Sequence, residues 1–248
     1  MATSHGKKSL MQIDDLQNHH FFKNKEIQKF KPLTQQGHSN SIYFIKTANK
    51  KYLARKFQIS LDRKAEFQIQ EKAFDQNIAG KPILLDVKNG FMITEYIEGE
   101  HRSKLSQQNI KKLALLLRKL HKIKIRQKQN SFKENFSFKD KKVKKAFILL
   151  DKEPKEYALG HNDLHAKNIL FTPTSIKLID WEYARYSDIY FDLVSIIIEY
   201  KLNKQESKTF LENYFYRKKI NYKKIEAFTL IYKELWKLWF QKLKKGEL

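Results

Sequence analysis

The apolar and polar positions of the chain fall into two regimes. From about Phe30 to Ile97, short alternating runs are interrupted once by a stretch of helical period. Ser41 to Thr47 alternates apolar and polar residues, and Lys51 to Phe57 follows after Ala48-Asn49-Lys50, so the two runs predict a hairpin. Ser60 to Gln76 sets Leu61, Ala65, Phe67, Ile69 and Phe74 among charges, with Ser60 and Asp62 available as caps, and predicts a helix. Pro82 to Val87 and Gly90 to Ile97 predict two further strands.

Beyond this point helical spacing dominates. Gln107 to Ile123 places Ile110, Leu113, Leu116, Leu117 and Leu120 on one face of a helix. Lys124 to Lys145 is Lys-rich and weakly patterned, predicting a mobile loop that leads into another helix. Ile169 to Phe171 and Ile176 to Ile179 are strand-like runs around a Pro-containing turn, and long amphipathic helices are expected from Phe191 to the end. No internal repeat is visible. The expected fold class is α+β in two lobes, a small β-rich N-terminal lobe over residues 1–97 and a larger, mainly helical C-terminal lobe over residues 98–248.

Composition narrows the picture. A chain of 248 residues buries a core without staples, and 41% hydrophobic and 13% aromatic content with 7 Gly and 4 Pro excludes a disordered chain. The absence of Cys excludes a disulfide framework, a zinc ribbon and a thiol nucleophile, and is compatible with a reducing cytoplasm. Met1 to Leu10 lacks the apolar core of a secretory signal, and Met11 reads as an alternative start or the end of a leader. The longest apolar runs, such as Leu193 to Ile198 with Ser195 inside it, fall short of the roughly 20 residues that span a bilayer. A soluble, cytoplasmic protein is expected. The net charge of +23 is mostly Lys spread along the whole chain. Nucleic-acid readers favour Arg and concentrate charge, so a Lys-rich solvated surface is expected rather than a specific nucleic-acid partner.

The candidate chemistry sits in Gly160-His161-Asn162-Asp163-Leu164-His165-Ala166-Lys167-Asn168-Ile169-Leu170, followed by Leu178-Ile179-Asp180-Trp181-Glu182. Phosphoryl transfer needs a carboxylate to orient or deprotonate an attacking hydroxyl and hard oxygens to hold magnesium against phosphates. Asp163 supplies a base, and Asn168, five residues later, supplies a metal ligand from the same loop. Asp180, at the end of a strand-like run, supplies a second and charged ligand. Each residue alone reads as a turn or cap residue; the long joint pattern does not. His161 reads as a buttress of the loop, and Lys167 has no derivable role.

These motifs resemble the catalytic and metal-binding stretch shared by choline kinases and aminoglycoside phosphotransferases, a branch of the protein-kinase-like fold, over about Leu33 to Gln241. The resemblance implies ATP and Mg²⁺, with Asp163 as base and Asn168 and Asp180 as magnesium ligands. Gly37-His38-Ser39-Asn40-Ser41 resembles the family's phosphate-covering loop, so Gly37, Ser39 and Asn40 are nucleotide-binding candidates whose backbone N–H groups cradle phosphate. Arg55 lies where the fold places a cationic phosphate ligand, with Glu66 as its ion-pair partner and Lys56 and Glu71 as substitutes. Phe91 to Gly99 resembles the strand and hinge, where Glu95 and Ile97 would meet adenine through their main chains. Asp192 resembles the helix-start aspartate that braces the catalytic loop.

The acceptor expected from the resemblance is a small-molecule alcohol, choline foremost. Asp180 to Tyr186, continued by Phe191-Asp192-Leu193 and Glu199-Tyr200, has the order and spacing of choline and ethanolamine kinases, and Leu235 to Gln241 resembles their paired-tryptophan helix. Choline is a permanent cation without N–H donors, so aromatic faces and carboxylates must hold it. Trp236 and Trp239, three residues apart on a helix, with Tyr183, Tyr186 and Tyr200 as further walls and Glu182 and Glu199 as carboxylates, are the substrate-binding candidates. The same aromatics also read as ordinary core. Ethanolamine, thiamine and aminoglycosides are the alternative acceptors, and a non-catalytic polyanion-binding module is the alternative from another class.

Overall fold

The structure, a computed structural model, describes residues 10–33, 39–125 and 138–246. The chain divides into two compact units, Met1–Glu98 and Gly99–Leu248. The first carries a five-stranded antiparallel sheet in the order β1-β2-β3-β5-β4. Its strands are β1 (Ile27–Pro32), β2 (Asn40–Thr47), β3 (Lys51–Phe57), β4 (Pro82–Asp86) and β5 (Phe91–Glu95). The predicted hairpin is β2 and β3, closed by Thr47 N–H to the Lys50 carbonyl at 2.9 Å. Gly90, at φ 65°, makes the β4–β5 turn in a conformation that a side chain would strain.

Two parts of this unit escaped the sequence pattern. Strand β1 was not predicted, nor was a short helix α1 (Ile13–Gln17). Met11, Leu16 and Phe22 bury themselves against Tyr43, Ile45, Tyr52, Ala54, Phe91 and Ile93, and Met11 N–H donates to the Tyr43 hydroxyl at 3.0 Å. The predicted helix is α2 (Arg63–Asp75), capped by Asp62, whose carboxylate accepts from Ala65 N–H at 3.0 Å. Its buried face is Arg63, Glu66, Ile69, Gln70 and Ala73, at the three- and four-residue spacing of a helix.

The second unit is helical around two small β pairs. Helix α3 (Gln107–Leu120), capped by Ser106, buries Ile110, Leu113, Ala114, Leu116, Leu117 and Leu120. A fully buried leucine contributes about 2 kcal/mol by leaving water. Then come α4 (Lys141–Lys152), β6 (Tyr157–Gly160), β7 (Ile169–Phe171), β8 (Ile176–Leu178) and β9 (Arg185–Asp188). β6 pairs with β9 and β7 with β8, all antiparallel. The Lys-rich stretch 126–137 lies outside the described residues.

The helices expected after Phe191 are α5 (Ile189–Glu199), α6 (Lys204–Phe215) and α7 (Tyr222–Lys245). Helix α5 is not amphipathic as expected: Ile189 to Ile196 are all buried, because α7 and β6 pack against it. α7 also packs on α4 and ends at Gly246, φ 67°, a left-handed C-cap. Among the described residues no helix is long and apolar enough to cross a membrane.

Candidate active site

The loop between β6 and β7 holds His161 to Asn168, and hydrogen bonds fix it from three sides. Asp192, in the first turn of α5, accepts from His161 N–H and Asn162 N–H, both at 2.8 Å, and from His121 Nε2 at 3.1 Å. Burial would raise the Asp192 carboxyl, but the hydrogen bond and charge of His121, helped by His161, hold it below the usual aspartate range. The buried His161 ring lies 4.8 Å from that of Trp181 and hydrogen-bonds the Ile179 carbonyl at 3.1 Å. Asn162 adopts φ 64°, where Asn is tolerated better than most residues. Its Nδ2 donates to the carbonyls of Gly160 and Tyr183 at 3.2 Å, and its Oδ1 accepts from Ser187 Oγ at 2.8 Å. A Cβ on Gly160 would stand 2.5 Å from that Oγ, so the loop needs glycine there.

Within this frame Asn168, ending a 3₁₀ turn over Ala166–Asn168, donates Nδ2 to the Asp163 carbonyl at 2.9 Å and to Asp163 Oδ2 at 2.8 Å. The contact turns the amide oxygen of Asn168 away from Asp163. Ile179 N–H donates to the Asn168 carbonyl at 3.0 Å, tying the strand that delivers Asp180 to the same loop. Asp180 sits at φ 64°, a costly conformation for a non-glycine residue of the kind that gathers at functional sites. Burial first, then the charges of Asp180 and Glu182, push the Asp163 carboxyl up to about 8 against the opposing Asn168 hydrogen bond, with Glu199 adding to the rise. The centre is short of positive charge.

A hard divalent cation fits that donor set. Asn168 Oδ1 and the Asp180 carboxylate are oxygen ligands of the type magnesium takes. No group of three or more His, Cys, Asp or Glu side chains able to hold a metal exists among the described residues. Magnesium needs none, since it is bound through one or two protein ligands, phosphates and water.

Beside the loop lies a cavity of about 500 Å³ lined by His165, Ala166 and Lys167 of the loop, Ile198 and Glu199 of α5, and Tyr232, Lys233, Trp236 and Phe240 of α7. Of the aromatic residues expected there, Trp236 lines it. Tyr183, Tyr186, Tyr200 and Trp239 do not. Tyr200, one residue past Glu199 and turned about 100° from it, is buried. Tyr186 lies in β9 with its ring 6.2 Å from that of Tyr157, and Tyr183 gives its carbonyl to Asn162. Trp239 packs edge-on behind Trp236 at 5.5 Å. The walls are Tyr232, Trp236 and Phe240, at the four-residue repeat that shares a helix face; applied to Trp236, that repeat would have found the other two. The Tyr232 hydroxyl donates to Glu199 at 2.9 Å and fixes that carboxylate in the wall. Glu182 is not among the lining residues; its charge acts on Asp163.

In the first unit Arg55 is ion-paired with Glu66, as the sequence predicted, and a second arginine joins them. Arg63 Nη1 reaches Glu66 at 2.8 Å, and its Nη2 donates to Asn40 Oδ1 at 3.2 Å. The i,i+3 spacing of Arg63 and Glu66 was the signal for it. Burial would raise the Glu66 carboxyl, but the two guanidinium groups, Arg55 foremost, hold it below the usual glutamate range. The substitutes fall away: Lys56 donates to the Asn89 carbonyl at 2.7 Å, and Glu71 is exposed. Ser39 and Asn40 are buried at the start of β2, while Gly37 lies outside the described residues. Glu95 N–H donates to the Lys81 carbonyl at 2.8 Å, leaving the carbonyl as the main-chain group Glu95 has to offer. Ile97 packs so closely on Gly80 that a Cβ there would stand 2.8 Å from its Cδ1.

Residues 30–228 match the model of the phosphotransferase enzyme family. The chain is 28% identical over 200 residues to a LicA homolog of Metamycoplasma hominis, an alignment covering 74% of this chain and 78% of the relative. Its fold is similar to that of the choline kinase LicA from Streptococcus pneumoniae, with TM-score 0.77 and 24% identity over 94% of this chain and 90% of that one. It is also similar to a spectinomycin phosphotransferase solved with ADP and spectinomycin, with TM-score 0.64 and 17% identity over 84% and 81% of the two chains.

Proposed function

Because the chain belongs to the phosphotransferase enzyme family, we propose that it transfers the γ-phosphoryl group of ATP to the hydroxyl of choline, giving phosphocholine and ADP. The chain is a kinase-type enzyme, which sets aside a non-catalytic polyanion-binding module. The observation that carries the choline reading is the cavity beside the loop, where three aromatic rings and one positioned carboxylate meet the edge of Asp163's loop. A trimethylammonium group is held by ring faces and negative potential, not by hydrogen bonds. Lys167 and Lys233 also border the cavity, but both are exposed, so water and salt screen their charge. The choline kinase of the same fold supports the same acceptor.

On this reading the residues take the following roles. Once cations occupy the centre and the Asp163 carboxyl has given up its own proton, it accepts the proton of the acceptor hydroxyl as that oxygen bonds to the γ-phosphorus, and the β–γ bridging oxygen leaves with ADP. Asn168 Oδ1 and Asp180 would hold magnesium, which would supply positive charge against the phosphates. Arg55, paired with Glu66, is the first unit's phosphate ligand, and the backbone at Ser39 and Asn40 is its phosphate cradle. The Glu95 carbonyl and Ile97 N–H serve adenine.

The test is a panel of choline, ethanolamine, thiamine and an aminoglycoside with MgATP, read by ADP release and by mass of the phosphorylated product. Choline is expected to give the highest kcat/KM. Turnover of an aminoglycoside with none of choline would refute the cation site.

A further inference from the structure

We propose that His165 is a substrate-positioning residue whose Nε2–H donates to the oxygen of the acceptor hydroxyl, turning that hydroxyl's own proton onto Asp163. The inference rests on the acceptor cavity assigned above and goes beyond it by naming the group that holds the reacting atom. His165 lines the cavity, with its ring edge-on to Trp236 at 6.4 Å between centroids. Its Nδ1 accepts from Lys167 N–H at 3.2 Å. A ring nitrogen that accepts carries no hydrogen, so the imidazole is the neutral tautomer protonated on Nε2. Among the described residues Nε2 makes no hydrogen bond, and it stands 3.8 Å from Asp163 Oδ2.

That separation is too long for a direct hydrogen bond and suits an oxygen between them. An atom at hydrogen-bond distance, about 2.8 Å, from both groups completes a triangle on a 3.8 Å base. A hydroxyl seated there accepts from Nε2–H and donates to Asp163, which leaves its second lone pair for phosphorus. The proton then passes to Asp163 while His165 keeps its own. Asp163 Oδ2 is meanwhile held by Asn168 Nδ2, so both partners of the hydroxyl are fixed before it arrives. Lys167, whose backbone sets the tautomer, gains a role through its main chain.

The deciding experiment compares binding of choline and of ethyltrimethylammonium, the same cation without the hydroxyl, to the full chain by calorimetry. Wild type should prefer choline by roughly five- to tenfold, the effect of one hydrogen bond. In His165→Ala that preference should vanish while ethyltrimethylammonium binds as before. His165→Gln, whose amide nitrogen stands near the Nε2 position, should restore much of the preference and of kcat. His165→Ala should also release more ADP per phosphocholine formed, because a loose hydroxyl competes poorly with water.

An unchanged preference in His165→Ala, or a Gln variant as impaired as Ala with an equal melting temperature, would overturn the proposal. So would an Nδ1–H tautomer in the nitrogen NMR spectrum of the wild-type ring, a measurement that needs no variant. If the panel selects another alcohol, the choline reading fails alone, and the comparison is run with that alcohol and its deoxy analogue, with the same outcomes deciding.

Discussion

Glu66 in the first unit and Asp163 in the second are both carboxyl groups taken largely out of water, and their surroundings treat them in opposite ways. Glu66 lies between Arg55 and Arg63 and is held ionised. Asp163 faces Asp180 and Glu182, and its proton is held up to about 8. The first cluster is complete in itself, two cations around one anion, and serves to aim an arginine. The second crowds carboxyl groups together, which suits the magnesium and cationic acceptor proposed for it. A finished ion cluster marks a support, and an unfinished one marks where the chemistry is done.

The largest effect that can break this contrast is on turnover. Asp163→Asn should lower kcat about a thousandfold while leaving the urea midpoint equal or higher, since it removes one of several crowded acids; a lost fold would put Asp163 with Glu66 among the supports. Glu66→Gln should do the reverse to stability. It takes the shared carboxylate from two buried guanidinium charges and should cost about 3 kcal/mol in urea unfolding, a value near zero meaning that their other contacts suffice. Next comes the cavity wall. Trp236→Ala should raise the KM for choline about tenfold with that for ATP little changed, and Trp239→Ala, one layer behind, should raise it less. Equal effects would make the pair ordinary core.

The smallest effect is on pH. The folded carboxyl of Glu66 titrates below its unfolded value, so its stabilisation is complete above the ordinary glutamate range and is lost as pH falls through the folded value. The stability difference between wild type and Glu66→Gln should therefore be flat above pH about 5 and shrink below pH about 4. A difference that persists into stronger acid would show that packing, not charge, is lost in the variant.

The parts legible in the sequence were those written in local spacing. The β2–β3 hairpin, α2 and α3 follow from alternation, from caps and from one apolar face, and the loop from Gly160 to Leu170 announces itself by residue type. Strand β1, with Lys29, Lys31 and Pro32 among its six residues, and β9, Arg185–Asp188, are too polar to announce a strand and are set by pairing with β2 and β6. Asp192 was legible as a brace, but its His121 partner was not, since 71 residues separate them. The cavity was half legible: Trp236 and Glu199 were chosen for their chemistry, while Tyr232 and Phe240 depended on reading α7 at a period of four rather than three.

That period has an evolutionary corollary. Tyr232, Trp236 and Phe240 belong to one helix, whereas Asp163 and Asn168 belong to a loop fastened by Asp192. With the acceptor seated as proposed, mutations that resurface this helix can drift toward another alcohol without disturbing the loop of Asp163 and Asn168. A lineage of such enzymes would diversify by exchanging every fourth residue of α7, and a library confined to those three positions is the shortest laboratory path to a new acceptor.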